Sequence, residues 1–537
     1  MKKLSLTMLT IAIMTAVSSN AMAADVPQGT VLAKKQELVI GNGTEPASFD
    51  PGLIDGVPGS HVADDLFEPL VTVDENGKII PGVAMSWTKD PSGKVYTFKL
   101  RKNAKWSDGS PVTSKDFVYS WKRLVSSPSS YQDYLASAGV LNAAEIVNGK
   151  KDADSLGVKA VDPYTFEVTL KEPNPAFVKM LVHCSTDPLP QKVIAKWGDQ
   201  WTKPEHIVGN GAYKLKSHVV NGSIVLERNP DYWDNAHTVI NQVTYLPIQE
   251  KQDLNRYKAN EEDITYNTIN SDAYPQVKKD YQHELNVTPY VGMYYYVFNV
   301  NKPPFNDVRV RKALSYLVNR EALSQYVTGH NEKPLYHFAP TSVEGFKPEK
   351  TELEKIPPAQ RIKIAEDLLK KAGYDQSHPL VVNLMYNSSD WHKKIATAVA
   401  SMWNQTGFVQ TKLDQQEWKA YLDNLRIHNF DVARKAWIAD YNDPSAFFNL
   451  LVGGGSSNDG DYRNTQFDQY FKESQSASPS NRAILFNKMD RIVNKDAAVI
   501  PMFEYNSQRL VKPYVKGLAL NDALDHQYVK NFYIIKH

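Results

Sequence analysis

Residues 380–438 read LVVNLMYNSSDWHKKIATAVASMWNQTGFVQTKLDQQEWKAYLDNLRIHNFDVARKAWI, and this stretch constrains the fold more than any other. Short β-branched runs (LVVNLMYN, FVQTKLDQ, FDVARKAWI) alternate with two segments whose apolar residues recur at helical spacing. Strand, helix, strand, helix, strand in immediate succession requires crossover connections, and these give parallel strands in an α/β lobe. In such sheets ligands sit beyond the carboxyl ends of the strands. Two titratable side chains fall there. His392 opens the helix after the first strand, and Asp440 follows the third.

Asp440 is unusual in its setting. The run Ala436-Trp437-Ile438-Ala439 leads straight into it, Tyr441 and Asn442 follow, and the chain turns at Asp443-Pro444. A carboxylate at the end of an apolar, aromatic strand is costly unless a positive group meets it. Either this chain or a ligand must supply that group. A cap on the Asp443-Pro444 turn is the structural alternative.

The chain has 537 residues, too many for one core, so two or three domains are expected. It opens with Lys2 and Lys3, an apolar stretch from Leu4 to Val17 and a small-x-small site at Ala21-Met22-Ala23. That pattern predicts a cleaved secretory leader, residues 1–23, and a mature start at Ala24. No other apolar run approaches the roughly 20 residues of a membrane helix. The formal charge of +1 argues against nucleic acid as a partner. Cys184 is the single cysteine, so no internal disulfide forms, although an exported protein would permit one. The 29 tyrosines against 19 phenylalanines suit a surface that is apolar yet must hydrogen-bond, as a binding cleft is.

Elsewhere ELVIGNG reads as a first strand, and Thr113 caps a helix with Asp116 in the capping-box position and Phe117, Trp121 and Leu124 on one face. Asn221-Gly222 closes a β-hairpin. Asn306 or Asp307 caps a helix that restarts near Asn319, and GGGSSNDG (453–460) reads as a flexible surface loop. Phosphate-loop, dinucleotide, zincin and nucleophile-elbow motifs are all missing from the sequence, and its 13 histidines form no H-x-H or H-x3-H pair. Neither catalysis nor a cofactor or metal is therefore expected.

Four stretches, KWSDGSPVTSKDFVYSWKRL, GNGAYKLKSHVVNGSIVLERNPDYWDNA, PPFNDVRVRKAL and ADYNDPSAF, resemble the peptide-binding extracellular solute-binding proteins (family 5), the receptors of ABC importers. The likeness runs from about residue 30 to the terminal YIIKH and is strongest to the oligopeptide branch. It implies a periplasmic, monomeric, non-enzymatic receptor with no cofactor, which delivers short peptides to an inner-membrane permease complex. It also implies an α/β, two-lobed periplasmic-binding-protein fold (type II, cluster C) with an extra third domain. Lobe one would comprise residues 24–67, 191–291 and 508–537, the extra domain 68–190, and lobe two 292–507. The lobes would close on ligand like a hinge.

The resemblance also implies roles. Asp440 would hold the peptide's α-ammonium, and Arg434 and His392 its carboxylate. Backbone at Ala436, Trp437 and Ile438, facing backbone around Asp55 and Val57, would pair with the peptide as an added strand. Tyr134, Tyr290, Tyr295 and Trp418 would wall side-chain pockets. Enterobacterial members of this family carry a cysteine pair where this chain has Gly292 and Ile438. An expected arginine is Leu425, with Arg426 adjacent; an expected lysine is Thr328; an expected acid is Val297. These departures leave peptide length and side-chain preference open. Murein tripeptide, haem or another solute bound in the same fold, a peptidase, and a chaperone-like binder are the competing readings.

Overall fold

The computed structural model describes residues 24–330 and 332–537; the predicted leader lies outside them. The Leu380–Asn387 strand pairs in parallel with Val409–Gln416 on one side and with Val432–Ile438 on the other. Helices Asp390–Asn404 and Trp418–Arg426 make the crossovers, as the sequence periodicity predicts. The sheet is larger than the sequence reading, and it is mixed. Its strand order is Lys333–Pro334, Val499–Leu510, Leu285–Phe298, Val432–Ile438, Leu380–Asn387 and Val409–Gln416. The pairings of the first four are antiparallel. One face of this sheet is closed by the Val308–Leu317, Pro358–Lys371 and Asp390–Asn404 helices, with Val382, Leu384, Ile395, Val399 and Trp403 fully buried.

A second sheet joins Glu37–Gly41 in parallel to Gln242–Leu246, followed by Ser223–Arg228 and Tyr213–Val219. Its hairpin turns at Asn221, which takes the positive φ of 56° that asparagine tolerates and most residues do not. A third, antiparallel sheet runs in the order Ala84–Lys89, Val95–Leu100, Thr165–Thr169, Val158–Asp162. Helix Ser114–Ser126 packs on it through Phe117, Trp121 and Leu124. The Thr113 N–H donates to the Asp116 carboxylate at 2.7 Å, as in a capping box.

Two long strands tie these parts together. Leu285–Phe298 and Val499–Leu510 run antiparallel, but their ladder breaks between Pro289 and Met293. Below the break Leu510 exchanges hydrogen bonds with Thr265, and Lys512 N–H donates to Asp263 O. Above it both strands belong to the six-stranded sheet. The loop at 453–460 is not free at the surface. Ser456 donates from its N–H and its hydroxyl to Asp133 (3.0 and 2.6 Å), Ser457 donates to Ser130 O, and Asp459 pairs with Lys435. Its Gly/Ser composition reflects close approach to residues 130–133, not freedom of motion.

Gly292 and Ile438 are directly opposed on neighbouring strands. A Cβ at residue 292 would stand 2.3 Å from Ile438 Cδ1 and 3.1 Å from Trp437 O, so glycine and isoleucine fill the space as a matched pair. Gly292→Ala is expected to cost about 1–3 kcal/mol through overpacking, seen as a lower urea midpoint. Gly292→Cys with Ile438→Cys places two thiols on Cα atoms about 4.5–5.5 Å apart, within bridging range. After oxidation and denaturation the double variant should titrate one thiol, Cys184. Three thiols would show that the register is wrong.

Candidate functional site

The Val432–Ile438 strand is paired along its whole length on one edge and only briefly on the other. Gly292–Phe298 covers the first edge. The Leu380–Asn387 strand meets the second only at Val432 and Ala433. Ala439 N–H donates to Val291 O at 2.8 Å, so alternation turns the peptide groups of Lys435 and Trp437 toward the covered edge. Those of Ala436 and Ile438 turn to the open one. Arg434 C=O, on the open side, accepts from the Tyr421 hydroxyl. Beyond it the edge opens onto a cavity of about 270 Å³.

The cavity lies where elements far apart in sequence converge. It is lined by Asp55 and Val57 at the start of the Val57–Leu66 helix, by Tyr266 and Tyr290, by Asn387 and His392, by Trp418, and by the run from Arg434 to Asp440. Gly56, with φ 93°, lets the chain pass beneath Trp418, whose ring would be 3.0 Å from an added Cβ.

Asp440 stands at one end with its side chain 10 % exposed. The Tyr131 hydroxyl donates to it at 3.3 Å, and His183 Nε2 lies at 3.5 Å. Neither is a cation. Burial pushes the His183 imidazole down to about 3, so it is neutral, and the Tyr131 hydroxyl stays protonated. Burial pushes Asp440 up to about 7, a rise that the Tyr131 hydrogen bond and His526 only partly offset. The carboxylate has no positive partner within salt-bridge range among the described residues.

Arg434 stands at the other end, 7 % exposed. Its guanidinium donates to Asn387 Oδ1 (3.2 Å) and the Tyr505 hydroxyl (2.8 Å) and lies over the Tyr294 ring, while its Nε finds no acceptor. No carboxylate pairs with it among the described residues. His392 is beside it on the Asp390–Asn404 helix, whose N-cap Ser389 accepts from the Trp391 and His392 N–H groups. Burial, and then the Arg434 charge, hold the imidazole well below its ordinary value. Its Nδ1 is unpartnered, as are the indole N–H groups of Trp391, Trp418 and Trp437. Buried polar atoms are nearly always hydrogen-bonded, and this row of unmet donors marks a surface built for another molecule.

The structure thus brings together Asp55, Val57, Tyr290, His392, Trp418, Arg434, Ala436, Trp437, Ile438 and Asp440. It does not bring in Tyr295, whose ring packs edge-on against Phe338 in the core. Tyr134 sits one layer back, edge-on to Tyr131 and tilted against His183, with its hydroxyl donating to Met180 O. Leu425 lines the cavity, and its neighbour Arg426 reaches Asp55 at 3.3 Å. Thr328 and Val297 are buried away from it. Tyr131, His183, Asn387 and Tyr505 were not legible as site residues: they come from four separate segments and carry no motif.

Residues 78–459 match the family model of bacterial extracellular solute-binding proteins, family 5. The periplasmic oligopeptide-binding protein OppA of Salmonella typhimurium is 48 % identical over 524 residues, covering 97 % of this chain and 96 % of that protein. Haemophilus influenzae OppA, solved in complex with RPPGFSPFR, superimposes with a TM-score of 0.92 at 44 % identity, over 94 % of this chain and all of the other. The Escherichia coli murein tripeptide binding protein MppA gives a TM-score of 0.93 at 42 % identity, over 95 % of this chain and all of the other. The unliganded open form of MppA gives only 0.66 over 95 % of this chain and 99 % of the other, so the lobes here are in the closed arrangement. With two lobes closed over a charged cleft and this match along nearly its whole length, the chain belongs to the family 5 bacterial extracellular solute-binding proteins.

Proposed function

We propose that this protein is a periplasmic receptor that captures short peptides and presents them unaltered to an inner-membrane ABC permease. One observation carries the reading: an open strand edge runs between a buried carboxylate and a buried guanidinium, and neither has an opposite charge to answer it. A peptide is the complementary object. Its ammonium meets Asp440, its carboxylate meets Arg434 and the His392 region, and its backbone pairs with the open groups of Ala436 and Ile438. Residues 434 and 440 are separated by about 20 Å of extended chain. The reach of the two side chains shortens that span, which suits peptides of about two to five residues. Backbone pairing is indifferent to side-chain identity except at proline, which lacks the N–H.

The lobes we assign to residues 24–67, 191–291 and 508–537, to 68–190 and to 292–507, with the hinge at the ladder break near Pro289–Met293. Among the described residues no helix is long and apolar enough to cross a membrane. Native mass spectrometry of freshly purified protein tests the whole reading: co-purified short peptides are expected. A single species with the mass of a murein tripeptide would favour the function for which MppA is named.

Asp440→Ala is expected to lower peptide affinity by roughly 2–5 kcal/mol, because the ligand's ammonium is left buried without a partner. N-acetylating the peptide should do the same, and the two changes together should cost less than their sum in calorimetry. Acetylated peptides that bind as well as free ones would show that Asp440 is a structural cap.

The same carboxylate predicts how the empty receptor behaves. Burial in the closed cleft holds Asp440 at about 7, against 3.8 for an ordinary carboxyl, and opening the lobes would return it toward the ordinary value. The closed form therefore binds the extra proton. Empty closure is unopposed below pH 4 and is progressively disfavoured as pH rises through 7. Small-angle scattering of ligand-free protein should show a more open particle at pH 8 than at pH 5. Asp440→Asn should lessen that difference.

A further inference from the structure

Of the described residues that line the cleft, only Tyr131 and His183 come from 68–190, the extra domain assigned above. Contact with peptide therefore does not account for most of that domain. Its attachments show what it travels with. The Arg123 guanidinium donates to both carboxylate oxygens of Asp50, at 2.9 and 2.6 Å, and the Ser130 hydroxyl donates to Asp55 at 2.6 Å. These bonds fix the extra domain to lobe one. Whatever it shares with residues 292–507 must part when the lobes open.

Much of that shared contact is one seat. The segment from Ser130 to Ser137 receives the loop at 453–460 and its flanks. The Asp133 carboxylate accepts from the Ser456 N–H and hydroxyl, at 3.0 and 2.6 Å, and Ser130 O accepts from the Ser457 hydroxyl at 2.8 Å. The Ser137 hydroxyl donates to Asn449 Oδ1 at 3.0 Å, and Gln475 Nε2 donates to Ser137 O at 3.2 Å. Away from the seat stands the exposed Lys179–Glu344 pair, of a kind worth little in water. The bonds to Asp133 are charge-assisted and stronger.

The loop is shaped by lobe two alone. The Asn458 side chain donates to Val452 O (3.0 Å) and Tyr462 O (2.8 Å). Asp459 and Lys435 pair with their side chains 10 % and 13 % exposed. A Cβ at residue 460 would stand 2.6 Å from Phe298 O, so the backbone lies flat on the sheet there. A Cβ at residue 455 would stand 3.2 Å from Asp133 Oδ2, so a bulkier side chain would crowd the seat. A loop ordered in this way loses little freedom on docking, and its hydrogen bonds count almost in full.

Seat and loop both reach the Asp440 end of the cleft. Tyr131, between Ser130 and Asp133, donates to Asp440 at 3.3 Å. Lys435, which holds the loop, lines the cleft on the strand that carries Ala436 and Ile438. A second cavity, of about 10 Å³, lies between Asp440 and the seat, bounded by Ser130, Tyr131, Asp133, Trp437 and Ser457.

We infer that the extra domain is a clasp: Asp133 docks Ser456 only in the closed receptor, and this contact sets how slowly a bound peptide escapes. The inference rests on the peptide-receptor reading and its assignment of lobes. Asp133 does not line the cleft, so it acts as a positioning residue, through closure and through Tyr131. Its effect is then the same for every peptide and falls on dissociation, because closure follows capture.

The test is stopped-flow tryptophan fluorescence at pH 7.5 with tri-alanine, Ala-Phe-Ala and tetra-alanine, since Trp418 and Trp437 line the cleft. Asp133→Ala is expected to speed release of all three peptides by a common factor of about ten, with association changed less than about threefold. Ser456→Ala should speed release by about threefold, and the double variant by less than the product of the two factors. The ligand-free melting temperature should stay at the parent value, because Asp133 faces water in the open receptor. Asp154→Asn, at an exposed position of the same domain, should release peptide as the parent does. Release unchanged in both Asp133→Ala and Ser456→Ala overturns the clasp while sparing the receptor reading. So does a factor that differs from peptide to peptide, which would put Asp133 in a side-chain pocket, or a lower melting temperature without faster release, which would make the contact a folding one. A parent protein that binds none of the three peptides overturns both.

Discussion

The proposed function of this molecule depends on one strand edge. Val432–Ile438 spends its backbone hydrogen-bonding capacity on Gly292–Phe298 along one side and leaves the other side open after Ala433. Unpaired strand groups are ordinarily a liability. Here they are covered by the opposite lobe rather than by another strand, and the space between is wide enough for a chain. On the function proposed above, the opposite charges at the two ends, Arg434 and Asp440, would suit that space to something with an ammonium at one end and a carboxylate at the other.

Closure of the lobes rests on contacts that are individually modest. Asp55 meets Arg426, Ser389 meets Glu250, Lys394 reaches Asp272 at 2.7 Å, and Lys179 reaches Glu344 at 3.2 Å. Several of these are exposed pairs, of the kind worth little in water. Against them stands the cost of taking the Asp440 and Arg434 charges away from solvent with no partner. A ligand that supplies both counter-charges reverses that balance. Closure is then a population shift driven by differential contacts, and the break in the paired strands at Pro289–Met293 is where the proposed hinge would bend.

Much of the architecture was readable from residue pattern. The alternation between 380 and 438 implies the parallel unit, Thr113 with Asp116 implies a helix start, and Asn221-Gly222 implies a hairpin, because each depends on interactions within a few residues. The antiparallel half of the six-stranded sheet was not readable, because its long strands pair with partners some 200 residues away in sequence, and local periodicity holds no record of that. The Gly/Ser run at 453–460 misled for the same reason. Small residues signal either freedom or close approach, and only the presence of Ser130 and Asp133 decides between them.

The site divides in the same way. Asp440 stands out in the sequence because a carboxylate ending an apolar strand violates local expectation, and the parallel-strand pattern places it and His392 at the ligand-binding edge. Tyr295 looks equivalent to Tyr290 in sequence, yet one is buried against Phe338 and the other lines the cavity. Residue types and local periods were determined by the chain itself, since they arise from covalent order and short-range sterics. Only the tertiary structure decided which charges lack partners. Whether Asp440 and Arg434 are neutralised depends on what distant segments bring within a few ångströms, and electrostatic energy follows distance and burial, not sequence separation.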